Sequence, residues 1–95
     1  CSRSILVGHN AFFDLGFVKA ATNRAALKSP FHQFSTIDTV SLSALYCGET
    51  VLAKAISKMD IEWDNNEAHS ALYDTQKTSE LFCQIFNSHK VILKD

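Results

Sequence analysis

Near its start the chain carries Ile5-Leu6-Val7, a β-branched and aliphatic run closed by Gly8, and this short strand signal constrains the fold more than anything after it. A strand that short leaves its N–H and C=O groups unpaired unless neighbouring strands take them. Little of the remaining sequence reads as strand. Asn10 is a good N-cap, and residues 11–27 carry Phe13, Phe17, Ala20 and Ala21 at helical spacing, which predicts a helix with those positions on its apolar face. Pro30 stops that helix and opens a loop, Pro30-Phe31-His32-Gln33-Phe34. Asp38 can cap a helix over 39–47 that Gly48 ends. Thr50 caps another, with Val51, Leu52, Ala55, Ile56 and Met59 as one apolar face. A polar, acidic loop from Asp60 to Glu67 holds Trp63, and a last helix runs from about 69 to 89 on the apolar line Leu81, Phe82, Ile85 and Phe86, with Thr78 one turn earlier.

The expectation is an α/β chain, mostly helical, with one or two strands of an incomplete sheet. The sheet must be completed by residues outside the chain, by another copy, or not at all. The opening Cys1-Ser2-Arg3, placed so close to a strand, leads us to expect a piece of a larger domain whose missing part lies on the N-terminal side.

Ninety-five residues allow one small domain, and 46% hydrophobic with 20% charged residues is an ordinary globular composition. No apolar run approaches the roughly 18 residues that span a bilayer, and there is no secretory signal, so a cytoplasmic protein without membrane contact is expected. Cys1, Cys47 and Cys83 form neither a CxxC pair nor a Cys/His zinc pattern. We read them as reduced thiols, with Cys83 a small core residue. A net charge of −1 supplies no global positive field, so a polyanion would have to be bound mainly through metals and stacking.

Chemistry is concentrated in two segments, HNAFFD at 9–14 and HSALYD at 69–74. Asp14 falls near the first turn of a helix that follows a strand, where the helix dipole favours an ionised carboxylate and where α/β folds place their sites. A solvated first-turn aspartate has the same sequence signature. His69 and Asp74 are five residues apart, about 500° along a helix, which puts them on different faces. They converge only if His69 lies just before the helix and Asp74 in its first turns. A histidine there, with an ordinary pKa of about 6.5, is suited to take a proton from an attacking water. Otherwise the pair is a capping histidine and a surface aspartate.

Taken in order, the two segments resemble the second and third motifs of the DEDDh family of 3′→5′ exonucleases, which share a ribonuclease H-like fold and a two-metal mechanism. The likeness continues through PFHQFSTIDT at 30–39, TVLAKA at 50–55 and AHSALYDTQKTSELFC at 68–83, and covers Ile5 to about Lys90. It is greatest to the members that trim the 3′ ends of transfer and other stable RNAs. The resemblance implies that residues 1–95 are the C-terminal portion of a single exonuclease domain. By resemblance, Asp14 is the third family carboxylate, helping to hold the second metal, Asp74 is the fourth, on the first metal, and His69 activates the attacking water. The metals implied are two Mg²⁺ ions per complete site, with Mn²⁺ as a substitute. Phe13 and Phe34 correspond to aromatic residues that stack on the terminal bases, although core positions beside Phe17, Phe82 and Phe86 are the plainer alternative. The partners implied are RNA 3′ ends, or single-stranded DNA ends in a proofreading-type enzyme, and a second copy in a homodimer.

Lys28, one turn after Arg24, either offsets the helix dipole or contacts phosphate. The family's first motif, D-x-E, should stand on a strand ahead of HNAFFD. Asp60-Ile61-Glu62 has the right letters in the wrong place, so we set it aside. With two of four carboxylates the chain by itself is expected to be inactive, its parent being an exoribonuclease that releases nucleoside 5′-monophosphates. The rival from another class is a non-catalytic helical interaction module.

Overall fold

The strand Ser4–Gly8 (β1) finds its partner in a segment whose sequence reads as a loop. A computed structural model describes residues 3–67 and 69–94. In it β1 is followed by a helix, Ala11–Arg24 (α1), and by a second strand, Phe31–Asp38 (β2), which pairs with β1 in parallel. Leu6 lies beside Thr36, Val7 beside Ile37 and Gly8 beside Asp38. Between the Ser4–Phe31 pair and the Leu6–Thr36 pair the register slips. Here the His32 ring takes over: its Nδ1 accepts from the backbone N–H of Phe34 (3.1 Å) and of Ser35 (2.9 Å). The expected loop at 30–34 is therefore the irregular start of a strand, and the side chain of Phe34 is thrown outward.

The predicted face of α1 is inverted. Phe13 and Phe17 point to solvent, and the helix instead buries Ala11 and Leu15, with Val18 and Thr22 half-buried along the same stripe. Both stripes have helical spacing. The small Ala11 lets the first turn approach the strands closely, which a phenylalanine there would prevent. The helix also ends earlier than residue 27: Ala26 takes a left-handed φ of 55°, and Leu27 N–H returns to the Thr22 carbonyl at 2.8 Å.

The other half is built from helices Thr39–Cys47 (α2), Leu52–Lys58 (α3) and Ala71–Lys94 (α4). α2 has the expected caps: Asp38 accepts from Val40 N–H, and Gly48 is left-handed at its end. α3 does not. Val51 is its N-cap, without a side-chain bond, and Val51 itself is exposed. The core is one cluster of Ala55, Ile56, Met59, Leu81 and Ile85, flanked by Leu42, Cys47, Leu52, Ile61 and Trp63. Gln84 ties α4 to the end of α3 by donating to the Met59 carbonyl at 2.9 Å. Phe86 is exposed and Phe82 only half-buried, because α4 turns Thr78, Leu81 and Ile85 inward instead. Cys83 is exposed, not a core residue, and it and Cys47 are free thiols. Cys1 lies outside the described residues.

Seven apolar residues are buried among those described, while Phe12, Phe13, Phe17, Phe34, Leu45 and Leu72 are each more than half exposed. The radius of gyration is 14.8 Å, against about 12 Å for a compact chain of this length. The molecule is a slab 17 Å thick. No helix among the described residues is long and apolar enough to cross a membrane.

Candidate active site

Parallel pairing of β1 and β2 brings both of their C-terminal ends to the same side, and each end leads into a helix. At the end of β1, Asn10 takes a left-handed φ of 67° and its side chain does not cap α1. The cap comes from β2. One oxygen of Asp38 accepts from Asn10 N–H at 3.0 Å and the other from Ala11 N–H at 2.9 Å. The same carboxylate accepts from Val40 N–H at 2.9 Å. His9 braces this turn from the other side. Its Nε2 is 2.7 Å from the Thr50 carbonyl, which can only accept, so Nε2 carries a proton. Its Nδ1 is 2.8 Å from the Thr39 hydroxyl. That hydroxyl also lies 3.3 Å from the Gly8 carbonyl, and its single proton serves one of the two.

Asp14 follows in the first turn of α1, with its carboxylate folded back over β1. A Cβ at position 8 would lie 3.0 Å from Asp14 Oδ2 and 3.2 Å from the Ala11 backbone, so glycine leaves the space the carboxylate uses.

The second segment behaves as its spacing requires. His69 stands just ahead of α4 with a left-handed φ of 74°, and Asp74 is in the first turn. Asp74 N–H donates to the Ser70 carbonyl at 2.9 Å, and Asp74 Oδ1 accepts from His69 N–H at 3.3 Å. The His69 ring is exposed and Asp74 half-buried. Ala68, within the longer matching stretch, lies outside the described residues.

Asp14, His69 and Asp74 all line one cleft of about 930 Å³ between β1 and α4, with Leu6, Thr78 and Phe82 among the lining residues. Among the described residues no three His, Cys, Asp or Glu side chains gather closely enough to hold a metal ion. The carboxylates suit a hard divalent cation in kind, but fall short in number. Asp60 and Glu62 do not line this cleft. Asp60 is a left-handed residue closing α3, and Glu62 is exposed in the loop after it.

Phe13 and Phe34 are 66% and 79% exposed, so neither is packed into the core of the described residues. Lys19 lies 5.8 Å from the centre of the Phe34 ring. Lys19 also lines a small groove with Arg3 and Lys28, a gathering of three cations that their positions in the sequence do not announce. The structural uses of Gly8, His9 and Asp38 were equally missed. Asp38 is visible in the sequence as a local cap, but its second helix is fixed only once the strands pair.

A strand-to-helix junction bearing one acid, opposite a helix entrance bearing a histidine and another, defines the class. An exonuclease family model matches residues 1–82, and the chain belongs to that family. Its α/β arrangement is part of the ribonuclease H-like exonuclease fold. Among individual proteins it is similar to Ribonuclease T of Vibrio parahaemolyticus, 61% identical over 93 residues covering 97% of this chain and 44% of that protein. Ribonuclease T of Shewanella frigidimarina is 58% identical (97% and 42% covered), and that of Photobacterium profundum 59% (95% and 41%). The chain thus spans less than half the length of these relatives.

Proposed function

We propose that this chain supplies half of the active site of a 3′→5′ exoribonuclease that trims the 3′ ends of transfer and other stable RNAs. The observation that carries the reading is the convergence of Asp14 and Asp74, sixty residues apart, on one cleft with His69 at its edge. Two divalent ions, Mg²⁺ or Mn²⁺, would supply electrostatic stabilisation of the charge that develops on the phosphate. Asp14 and Asp74 would hold them, together with carboxylates from a segment outside this chain.

The chain's own residues do the rest. The exposed imidazole of His69, which lines the cleft with Asp14 and Asp74, accepts a proton from the attacking water. Phe13 and Phe34 present exposed rings on which the last bases stack without regard to sequence. Lys19, Lys28 and Arg3 offer the phosphates a positive groove, within this copy or across a homodimer. The product is a nucleoside 5′-monophosphate, and the setting is the cytoplasm.

The test uses the full-length protein and an RNA with a single-stranded 3′ end. Expected are stepwise 3′ shortening that requires Mg²⁺, its loss in Asp74→Asn and Asp14→Asn, and slower cleavage of the matching DNA. Full activity in both aspartate variants would sink the reading. The isolated 95-residue chain is expected to be inactive, and Mg²⁺-dependent trimming by it would show that two carboxylates suffice.

A further inference from the structure

The turn that delivers Asp14 to the cleft has no cap of its own. The first N–H groups of a helix lack partners within it, and the residue that should serve α1, Asn10, makes no side-chain bond. The N–H groups of Asn10 and Ala11 are taken by the two oxygens of Asp38, 28 and 27 residues further along the chain. Asp38 stands beside Gly8 in the sheet register, so the bridge runs across the strand pair at the point where β1 ends. Asp14 is one turn beyond the residues held in this way. Its carboxylate lies over Gly8, with Oδ2 3.0 Å from where a Cβ at position 8 would stand.

We propose that Asp38 is a positioning residue for the exonuclease site, setting the place of Asp14, and of Phe13 beside it, through the N-terminus of α1. This rests on the metal role proposed for Asp14. Asp38 does not line the cleft and takes no part in the chemistry. Its three accepted bonds divide into a local one, which caps α2 through Val40 N–H, and two long-range ones, which hold α1. A cap for α2 alone would need only the local bond. The long-range pair ties the start of α1 to the end of β2, and metal affinity tells whether that tie also sets the site.

The two uses can be separated. In Asp38→Ser the shorter side chain still caps α2, because serine is as good an N-cap as aspartate, but it cannot reach Asn10 and Ala11 together. The measurement is Mn²⁺ binding to the full-length protein, followed by the loss of the free-ion paramagnetic resonance signal, with far-UV circular dichroism to verify the fold. A group one step behind a metal ligand typically changes metal affinity by about 10- to 100-fold. A loss of that size is expected in folded Asp38→Ser, with kcat falling more than KM for RNA. Folded Asp38→Ser that binds Mn²⁺ as the wild type does would overturn the proposal.

If Asp38→Ser fails to fold, amide hydrogen exchange in the wild-type protein decides instead. The Asn10 and Ala11 amides should be protected to the same degree as that of Val40. Free exchange at Asn10 and Ala11 beside a protected Val40 would reduce Asp38 to a cap for α2 and end the proposal. The outcome for the underlying site is distinguishable, because that fails when Asp14→Asn leaves Mn²⁺ binding unchanged, whatever Asp38 does.

Discussion

The α4 wall of the cleft rests on Ala55, Ile56, Met59, Leu81 and Ile85, which are buried against one another. Among the described residues the β1 wall instead rests on one strand pairing and on the hydrogen bonds of His9 and Asp38, with Ala11 and Leu15 buried beneath α1. Asp74 stands on the first kind of support and Asp14 on the second. Apolar packing is non-directional and tolerates small shifts, whereas a carboxylate bonded to two particular N–H groups fixes a backbone to within tenths of an ångström. The difference teaches that the same cleft has one wall chosen for stability and one for position.

The comparison is most severely tested by removing packing from the α4 wall. Leu81→Ala deletes a fully buried side chain at the centre of the cluster and should lower stability by about 2–5 kcal/mol, read by denaturant unfolding of the full-length protein. A loss confined to activity would mean that this wall is not the stabilising one. On the opposite wall, Gly8→Ala places a methyl group 3.0 Å from Asp14 Oδ2 and 3.2 Å from the Ala11 backbone. The backbone yields less readily than the side chain, so the carboxylate is displaced. The expected cost is about 1–3 kcal/mol in stability, with a disproportionate fall in kcat, and unchanged kcat would show that Asp14 has room to spare.

Smaller effects follow at the edges. Phe34→Ala should weaken RNA binding by about 1–3 kcal/mol and leave stability where it was, since the ring is exposed. Equal affinity by fluorescence titration would return Phe34 to an ordinary surface position. His32→Ala removes the acceptor that the Phe34 and Ser35 N–H groups share, leaving them to water, and should reproduce part of that loss while costing about 1 kcal/mol of stability.

Least of all is expected from Lys77→Met. Lys77 meets Glu80 at 3.0 Å, and that hydrogen bond raises its pKa above the ordinary lysine value. A raised lysine pKa contributes stability at neutral pH that is lost as pH climbs through and beyond the lysine range. Glu80 is half exposed, while Lys77 is largely covered and lies 5.4 Å from the centre of the Tyr73 ring. With one partner open to water, the melting temperature at pH 7 should fall only slightly, and a large drop would show that the ring contact outweighs the ion pair.

What was legible in the sequence was local. α2 could be read from Asp38 and Gly48 because both caps act within a few residues of the helix ends they close. The condition for His69 and Asp74 to meet could be stated for the same reason, since at a five-residue spacing they converge only where the histidine stands just ahead of the helix. β2 could not, because His32, Gln33, Ser35 and Thr36 break any alternation and its partner strand lies 27 or more residues earlier. Nor could the buried face of α1 be chosen. Phe13 and Phe17 are as periodic as Ala11 and Leu15, and only the sheet decides between the two stripes. Two of the site's acids were evident from their motifs, while Gly8, His9 and Asp38 act through neighbours that folding brings together.

The sharing of one carboxylate between two helices also orders events in time. The bond from Asp38 to Val40 spans two residues and can form as soon as α2 begins to coil, whereas the bonds to Asn10 and Ala11 must wait until β2 has docked on β1. The first turn of α1 is therefore among the last parts of the chain to lock during folding. Asp14 travels with that turn, so its place in the cleft is settled only once the two strands have met.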